Sequence, residues 1–156
     1  EKRQDSVYNG FCEVSPQTKI VLVHDGVRPF LSPRMIEESV DVAREYGAAI
    51  TAIPVYDTIK RVDTSGLVSQ TVDREGLWRV QTPQVFRYEI LKEAFKKANS
   101  EKFYGTDEGT LIEHLGKPVK VVEGSEQNIK ITRPEDLRLS EIFISKVLPG
   151  NSFPLK

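Results

Sequence analysis

Four consecutive apolar residues, Ile20-Val21-Leu22-Val23, run without interruption into His24-Asp25-Gly26. A strand that is apolar at every position has to be covered on both faces, as in the interior of an α/β sheet. Ser32-Pro33 then offers an N-cap and a proline at the first helical position. Ile36, Val40 and Ala43 recur at helical spacing, and Gly47 stands where a helix-ending glycine belongs. Ala48 to Val55 is apolar again. Strand, helix and strand within about 35 residues form a βαβ unit, whose handedness rule predicts an α/β fold with a mostly parallel sheet.

Residues 56–77 break this pattern. Ile59, Val62, Leu67, Val68 and Val72 alternate loosely with Thr58, Lys60, Asp63, Ser69 and Thr71 around Asp63-Thr64-Ser65-Gly66. This predicts a hairpin with Gly66 in the left-handed region. An isolated two-stranded ribbon is marginal in water, so it should rest on something else. A projecting arm packed against a second copy of the chain meets that need. Downstream, Ile90, Leu91, Ala94, Phe95 and Ala98 predict a helix after Pro83, and Thr106 is placed to cap a short helix carrying Leu111, Ile112 and Leu115. Val119–Val122 and Asn128–Ile131 read as strands. Thr132-Arg133-Pro134-Glu135 reads as a capping box before a last helix. At the other end, Val7, Phe11 and Val14 share one helical face. The expectation is a single domain over 1–156, with an arm at 56–77 and a frayed tail at 150–156.

Composition narrows the function classes. Lysine plus arginine (22) nearly balance aspartate plus glutamate (23), so no global field draws the chain to nucleic acid or a membrane surface. Any anion site must come from local placement of cations. The single cysteine, Cys12, excludes an internal disulfide and reads as a small apolar side chain beside Phe11. No apolar run approaches the ~20 residues of a membrane span. Cytoplasmic is the default expectation. His24 and His114 lie far apart and no cysteine pair accompanies them, so zinc is not indicated. Walker, Gly-x-Ser-x-Gly and Gly-x-Gly-x-x-Gly patterns are missing from the sequence.

Asp25 ends the first strand, followed by Gly26 and then Arg28-Pro29. Ligands of open α/β sheets bind beyond the carboxyl ends of strands. A carboxylate there can hold Mg²⁺, and an arginine three residues on can meet a phosphate. Ordering of the strand–helix loop is the equally weighted structural role. Asp57-Thr58-Ile59-Lys60-Arg61, Thr71-Val72-Asp73-Arg74, Thr82-Pro83-Gln84 and Asn128-Ile129-Lys130-Ile131-Thr132 are polar clusters expected in loops or at element ends. Each holds a hydroxyl or cation suited to phosphate oxygens, although each taken singly is more often a solvated surface or a cap. Lys130 stands between Ile129 and Ile131, and an ammonium in an apolar context is costly unless it meets an anion.

Taken in order, Arg3-Gln4-Asp5-Ser6-Val7, Val23-His24-Asp25-Gly26-Val27-Arg28-Pro29-Phe30, Asp57-Thr58-Ile59-Lys60, Thr71-Val72-Asp73-Arg74-Glu75-Gly76-Leu77-Trp78, Thr82-Pro83-Gln84, Thr106-Asp107-Glu108 and Glu123-Gly124-Ser125 with Asn128-Ile129-Lys130-Ile131-Thr132-Arg133-Pro134-Glu135-Asp136-Leu137 make a longer pattern. That pattern resembles the C-terminal portion of the 2-C-methyl-D-erythritol 4-phosphate cytidylyltransferase family. The resemblance implies a Rossmann-like nucleotidyltransferase sheet and transfer of CMP from CTP to the sugar-alcohol phosphate, with release of pyrophosphate, in the non-mevalonate isoprenoid pathway. It also implies Mg²⁺ or another divalent cation, CTP as substrate, and a homodimer formed through the arm.

By the same resemblance, Asp25, Lys130 and Arg74 are the catalytic candidates, and Asp25 is the metal ligand. Gly26, Arg28, Thr58, Arg74, Thr82 and Thr106 fall to the sugar phosphate, with Thr58 and Arg74 serving the partner subunit's site. Arg3 and Ser6 fall to the nucleotide. The family's glycine-rich nucleotide loop and the Pro-Lys-Gln lysine precede the matched region and do not occur here, so the sequence reads as a partial nucleotidyltransferase domain. A ribitol 5-phosphate cytidylyltransferase is the nearest alternative. A non-catalytic dimerisation or binding module is the alternative from another class.

Overall fold

The computed structural model describes residues 2–147, so the tail expected at 150–156 lies outside the described residues. The elements are α1 (Arg3–Cys12), β1 (Ile20–Val23), α2 (Pro33–Tyr46), β2 (Ala48–Pro54), β3 (Ile59–Val62), β4 (Val68–Val72), β5 (Trp78–Arg87), α3 (Tyr88–Glu101), α4 (Glu108–His114), β6 (Lys120–Glu123) and α5 (Pro134–Val147).

One sheet has the order β1-β5-β2-β6. β5 runs antiparallel to both β1 and β2, and only β2 and β6 pair in parallel. The expected mostly parallel sheet is therefore corrected to a mixed sheet with mostly antiparallel pairings. The β1–α2–β2 unit is present and both strands belong to this sheet. A strand unforeseen in the sequence separates them. β5 contains Pro83 between the polar residues Gln81, Thr82 and Gln84, and a proline argues against a central strand, which is why Thr82-Pro83-Gln84 reads as a loop. The fold absorbs them locally. Pro83 has no N–H to give the ladder, and the β2–β5 register shifts between Ile50 and Ala52. Thr51 sits in that gap, and its hydroxyl donates to the Pro83 carbonyl at 2.8 Å. The Thr82–Pro83 peptide bond is cis.

Alternation along β5 divides the core into two layers. Phe86 faces a cluster with Phe11, Leu91, Phe95, Leu111 and Ile112 from α1, α3 and α4. Val85 faces Ala43 of α2, with Ala49 and Val122. A strand's period of two sends neighbouring side chains to opposite layers, and both are fully buried here. α2 follows its caps as read: the Ser32 hydroxyl accepts the Met35 N–H, and Gly47 ends the helix at φ 93°.

Three local expectations are corrected. The α4 cap is Asp107, whose carboxylate accepts the Thr110 N–H, and not Thr106. The head of α5 is fastened by Asp136, which accepts the N–H groups of Thr132 and Arg133, and not by Glu135. Asn128–Ile131 is not a strand. It is tied to the loop after β1, with the Ile131 N–H donating to the Val27 carbonyl at 2.8 Å.

The hairpin expected around Asp63-Thr64-Ser65-Gly66 forms. β3 and β4 pair antiparallel as a separate ribbon, with Gly66 at φ 87°. The Asp63 carboxylate accepts the N–H groups of Ser65 and Leu67 and fixes the tip. Leu67 and Val68 are 68% and 60% exposed.

Candidate active site

Because β1 and β5 are neighbours, the turn after β1 lies against the buried middle of β5. The Asp25 N–H donates to Thr82 Oγ1 at 3.0 Å, which fixes where the carboxylate begins. Three cations then converge on it. Lys130 Nζ lies 3.0 Å from Asp25 Oδ2, Arg3 reaches Oδ1 at 3.4 Å, and Arg28 Nε stands 3.7 Å from Oδ2. Burial pushes the Asp25 carboxyl up, but Lys130 first and then Arg3 outweigh it and hold the group below its ordinary value.

Each cation has its own support. Arg3 is gripped by both carboxylate oxygens of Glu108, at 2.8 and 2.9 Å. Glu108 opens α4 and is 1% exposed. Burial raises its carboxyl above the ordinary range despite the opposing pull of Arg3. Arg28 donates through a terminal nitrogen to the Asn128 carbonyl at 2.7 Å. Burial lowers the Arg28 guanidinium, with Asp25 opposing. Asn128 is itself fully buried, and its amide donates to the Thr82 carbonyl at 2.8 Å. Lys130 therefore meets an anion as expected, but from an irregular, half-exposed segment rather than from inside an apolar strand.

Arg3, Asp25, Arg28, Thr82, Thr106 and Lys130 together line a cleft of about 290 Å³, joined by Gln84 and Asp107. Gly26 sits exposed in the adjoining turn. Ser6, on α1, is exposed and does not line the cleft. Nor do Thr58 and Arg74, which stay with the arm, where Arg74 donates to the Tyr56 carbonyl. Two contributors escaped the sequence reading, Glu108 and His24. His24 Nδ1 is 3.0 Å from Thr82 Oγ1, and its Nε2 is 2.9 Å from the Arg28 carbonyl oxygen. Both residues stand in the ordered motifs quoted for the family resemblance, which gave neither of them a role.

The arrangement is a small cleft lined by Arg3, Arg28 and Lys130 together with the carboxylates of Asp25 and Asp107, and its three cations suit phosphate groups. The family model of 2-C-methyl-D-erythritol 4-phosphate cytidylyltransferase, IspD, matches residues 1–146. The chain belongs to this family. Among IspD relatives, the enzyme of Pelotomaculum thermopropionicum is 54% identical over 144 residues, covering 92% of this chain and 60% of the relative. That of Syntrophus aciditrophicus is 50% identical over 145 residues, covering 93% of this chain and 62% of the relative. The chain thus spans less than two thirds of the length of these relatives. Among solved structures, the IspD of Thermus thermophilus superposes with a TM-score of 0.84 at 37% identity, covering 91% of this chain and 68% of that one. The Francisella tularensis IspD gives 0.83 at 34% identity, covering 91% and 68%.

Proposed function

We propose that the cleft is the phosphate-handling part of a site that transfers CMP from CTP to 2-C-methyl-D-erythritol 4-phosphate. The observation that carries this reading is the convergence of Arg3, Arg28 and Lys130 on Asp25, in a chain whose relatives are named for that transfer. The family match favours this acceptor over ribitol 5-phosphate. A non-catalytic module would have no need to gather three cations around one carboxylate.

In the proposed reaction an anionic phosphate oxygen of the acceptor attacks the α-phosphorus of CTP in line. The new P–O bond forms as the bond to the β-phosphate oxygen breaks, and pyrophosphate leaves with that electron pair. The attacking group is already ionised, so no general base is required. The work left to the protein is positioning and charge neutralisation. Lys130 is assigned to the reacting phosphates, Arg28, Gly26, Thr82 and Thr106 to the acceptor, and Arg3 and Ser6 to the nucleotide side.

Mg²⁺, or a similar divalent cation, belongs to the same proposal. Among the described residues no group of three or more His, Cys, Asp or Glu could enclose a metal. A single strand-end carboxylate suits Mg²⁺, which keeps waters and takes one or two carboxylates together with substrate phosphates. Asp25 would hold the ion, which when bound supplies positive charge to the triphosphate. The arm supports a homodimer in which Thr58 and Arg74 serve the partner subunit's cleft, since both stand outside their own. No helix among the described residues is long and apolar enough to cross a membrane, and a cytoplasmic enzyme is the accompanying proposal.

The test uses a chain of the relatives' full length carrying this sequence. Incubated with CTP, Mg²⁺ and 2-C-methyl-D-erythritol 4-phosphate, it should release pyrophosphate and form the cytidine diphosphate alcohol. Absence of turnover, or a higher kcat/KM for ribitol 5-phosphate, would sink the reading.

A further inference from the structure

His24 joins Thr82 of β5 to the main chain of Arg28 in the turn after β1. The directions of its hydrogen bonds follow from the groups it meets. The Arg28 carbonyl oxygen has no hydrogen to give, so Nε2 must carry one and donate to it at 2.9 Å. In the neutral ring Nδ1 is then an acceptor, and it faces the Thr82 hydroxyl at 3.0 Å. Thr82 Oγ1 in turn accepts the Asp25 N–H. The bonds run in one sense: Asp25 N–H to Thr82 oxygen, Thr82 O–H to His24 Nδ1, His24 Nε2–H to the Arg28 carbonyl. A main-chain bond from the Arg28 N–H to the Asp25 carbonyl, at 3.0 Å, closes the loop.

We infer that His24 is a positioning residue for the transfer proposed above, a two-ended strut that orients the Thr82 hydroxyl and fastens the turn carrying Asp25 and Arg28. This inference rests on that functional reading and deepens it. Thr82 commits its one hydroxyl hydrogen to the ring, so the part assigned to it above in holding the acceptor is exerted through the placement of Asp25. The turn's other ties are the Asp25 N–H bond to Thr82, the ion pairs of Asp25, the Arg28 main-chain bond, the Ile131–Val27 bond and the Arg28–Asn128 contact. None of these fixes the rotation of the Thr82 hydroxyl or holds the Arg28 carbonyl, so removing the strut loosens the placement of the turn. Misplacement of reacting groups by ~1 Å can cost up to about a hundredfold in rate.

Two measurements decide the matter. The first is independent of the reaction. Ring ¹⁵N correlation spectra of this chain, taken with the ring in its neutral form, should show His24 with Nε2 protonated and Nδ1 bare. The opposite tautomer overturns the strut. The second is kinetic, in the full-length protein. His24→Phe keeps the ring's size and neither bond, His24→Asn keeps an acceptor near Nδ1, and His24→Gln keeps a donor near Nε2.

The Phe variant should lower kcat at least about tenfold while leaving the KM for CTP within about threefold, the pattern of a lost transition-state interaction. Asn and Gln should each recover part of that loss. Combining His24→Phe with Thr82→Val should cost no more than the worse single change, because both break one unit. Wild-type kcat in a folded His24→Phe protein, or losses that multiply, overturn the proposal. If the Phe variant does not fold, His24→Gln combined with Thr82→Val applies the same additivity criterion. If the wild-type full-length protein transfers no CMP, the proposed reaction is what has failed, and the ring spectrum still decides the strut.

Discussion

Asp25 is the residue on which the cleft's electrostatics turn. Burial favours its neutral form, yet Lys130 and Arg3 hold its carboxyl below the ordinary value. A depressed folded-state pKa contributes stability that is fully present above the unfolded value, near 4, and is lost as pH falls through the lower folded value. Wild-type stability should therefore fall more steeply than that of Asp25→Asn as pH drops below about 4. Urea unfolding as a function of pH reads the difference, and parallel acid limbs would mean that the ion contacts give no net stabilisation. Glu108 runs the opposite way, since its raised value removes stability as pH rises. It is common to both proteins and cancels. In the full-length protein, Asp25→Asn should lower turnover by ~10² or more, the scale of one lost transition-state electrostatic contact. Near wild-type turnover at saturating Mg²⁺ would remove Asp25 from the mechanism. Asp25 and Arg28 were legible because a strand end and a short spacing announce them. Glu108 was not, because its partner Arg3 lies 105 residues away.

At the scale of elements, the informative unit is β5 with the loop that follows β6. Gln81, buried in β5, donates to the Ser125 carbonyl at 2.9 Å and accepts the Ser125 N–H and the Asn128 amide, each at 3.3 Å. It is the peg on which the segment leading to Lys130 hangs. Gly124 leaves room for it: a Cβ there would stand 2.4 Å from Gln81 Oε1 and 2.9 Å from Thr51 Cγ2. Gly124→Ala should therefore displace the glutamine, lower stability by about 1–3 kcal/mol as overpacking does, and raise the KM for the sugar phosphate. Thermal melts and steady-state kinetics measure both. An unchanged Tm would show that Gln81 swings aside freely. A glutamine-rich strand with a proline is difficult to foresee, because its polar side chains are satisfied only by segments distant in sequence.

At the scale of the whole molecule, the arm poses the main question. Its ribbon leaves Val62, Leu67 and Val68 more than half exposed and carries Thr58 and Arg74 outside the chain's own cleft. A shared site accounts for both features. In the full-length protein, Arg74→Ala should raise the KM for the sugar phosphate far more than that for CTP. Mixing it with Asp25→Asn should restore part of the activity, since one cleft of the mixed dimer then keeps both residues. Sedimentation after confirmed subunit exchange provides the control. No recovery, or a monomer at micromolar concentration, would mean that the arm serves only its own chain.

The sequence by itself determined the α/β class, the β1–α2–β2 unit with its caps, the hairpin arm with Gly66 at its tip, and the ordered motifs that carry the family. These depend on short-range rules: side-chain period, capping chemistry and turn conformation all act within a few residues. The pairing of strands was decided only in three dimensions. β5 enters between β1 and β2 because Val85 and Phe86 fill both core layers, while Thr51 compensates for the proline beside them. The supports of the cleft were settled in the same way. Glu108 beneath Arg3, His24 across Thr82 and Asn128 beneath Arg28 bring together groups from separate segments. A buried polar side chain is tolerable only with its partner in place, and that partner is supplied by the fold rather than by neighbours in the chain.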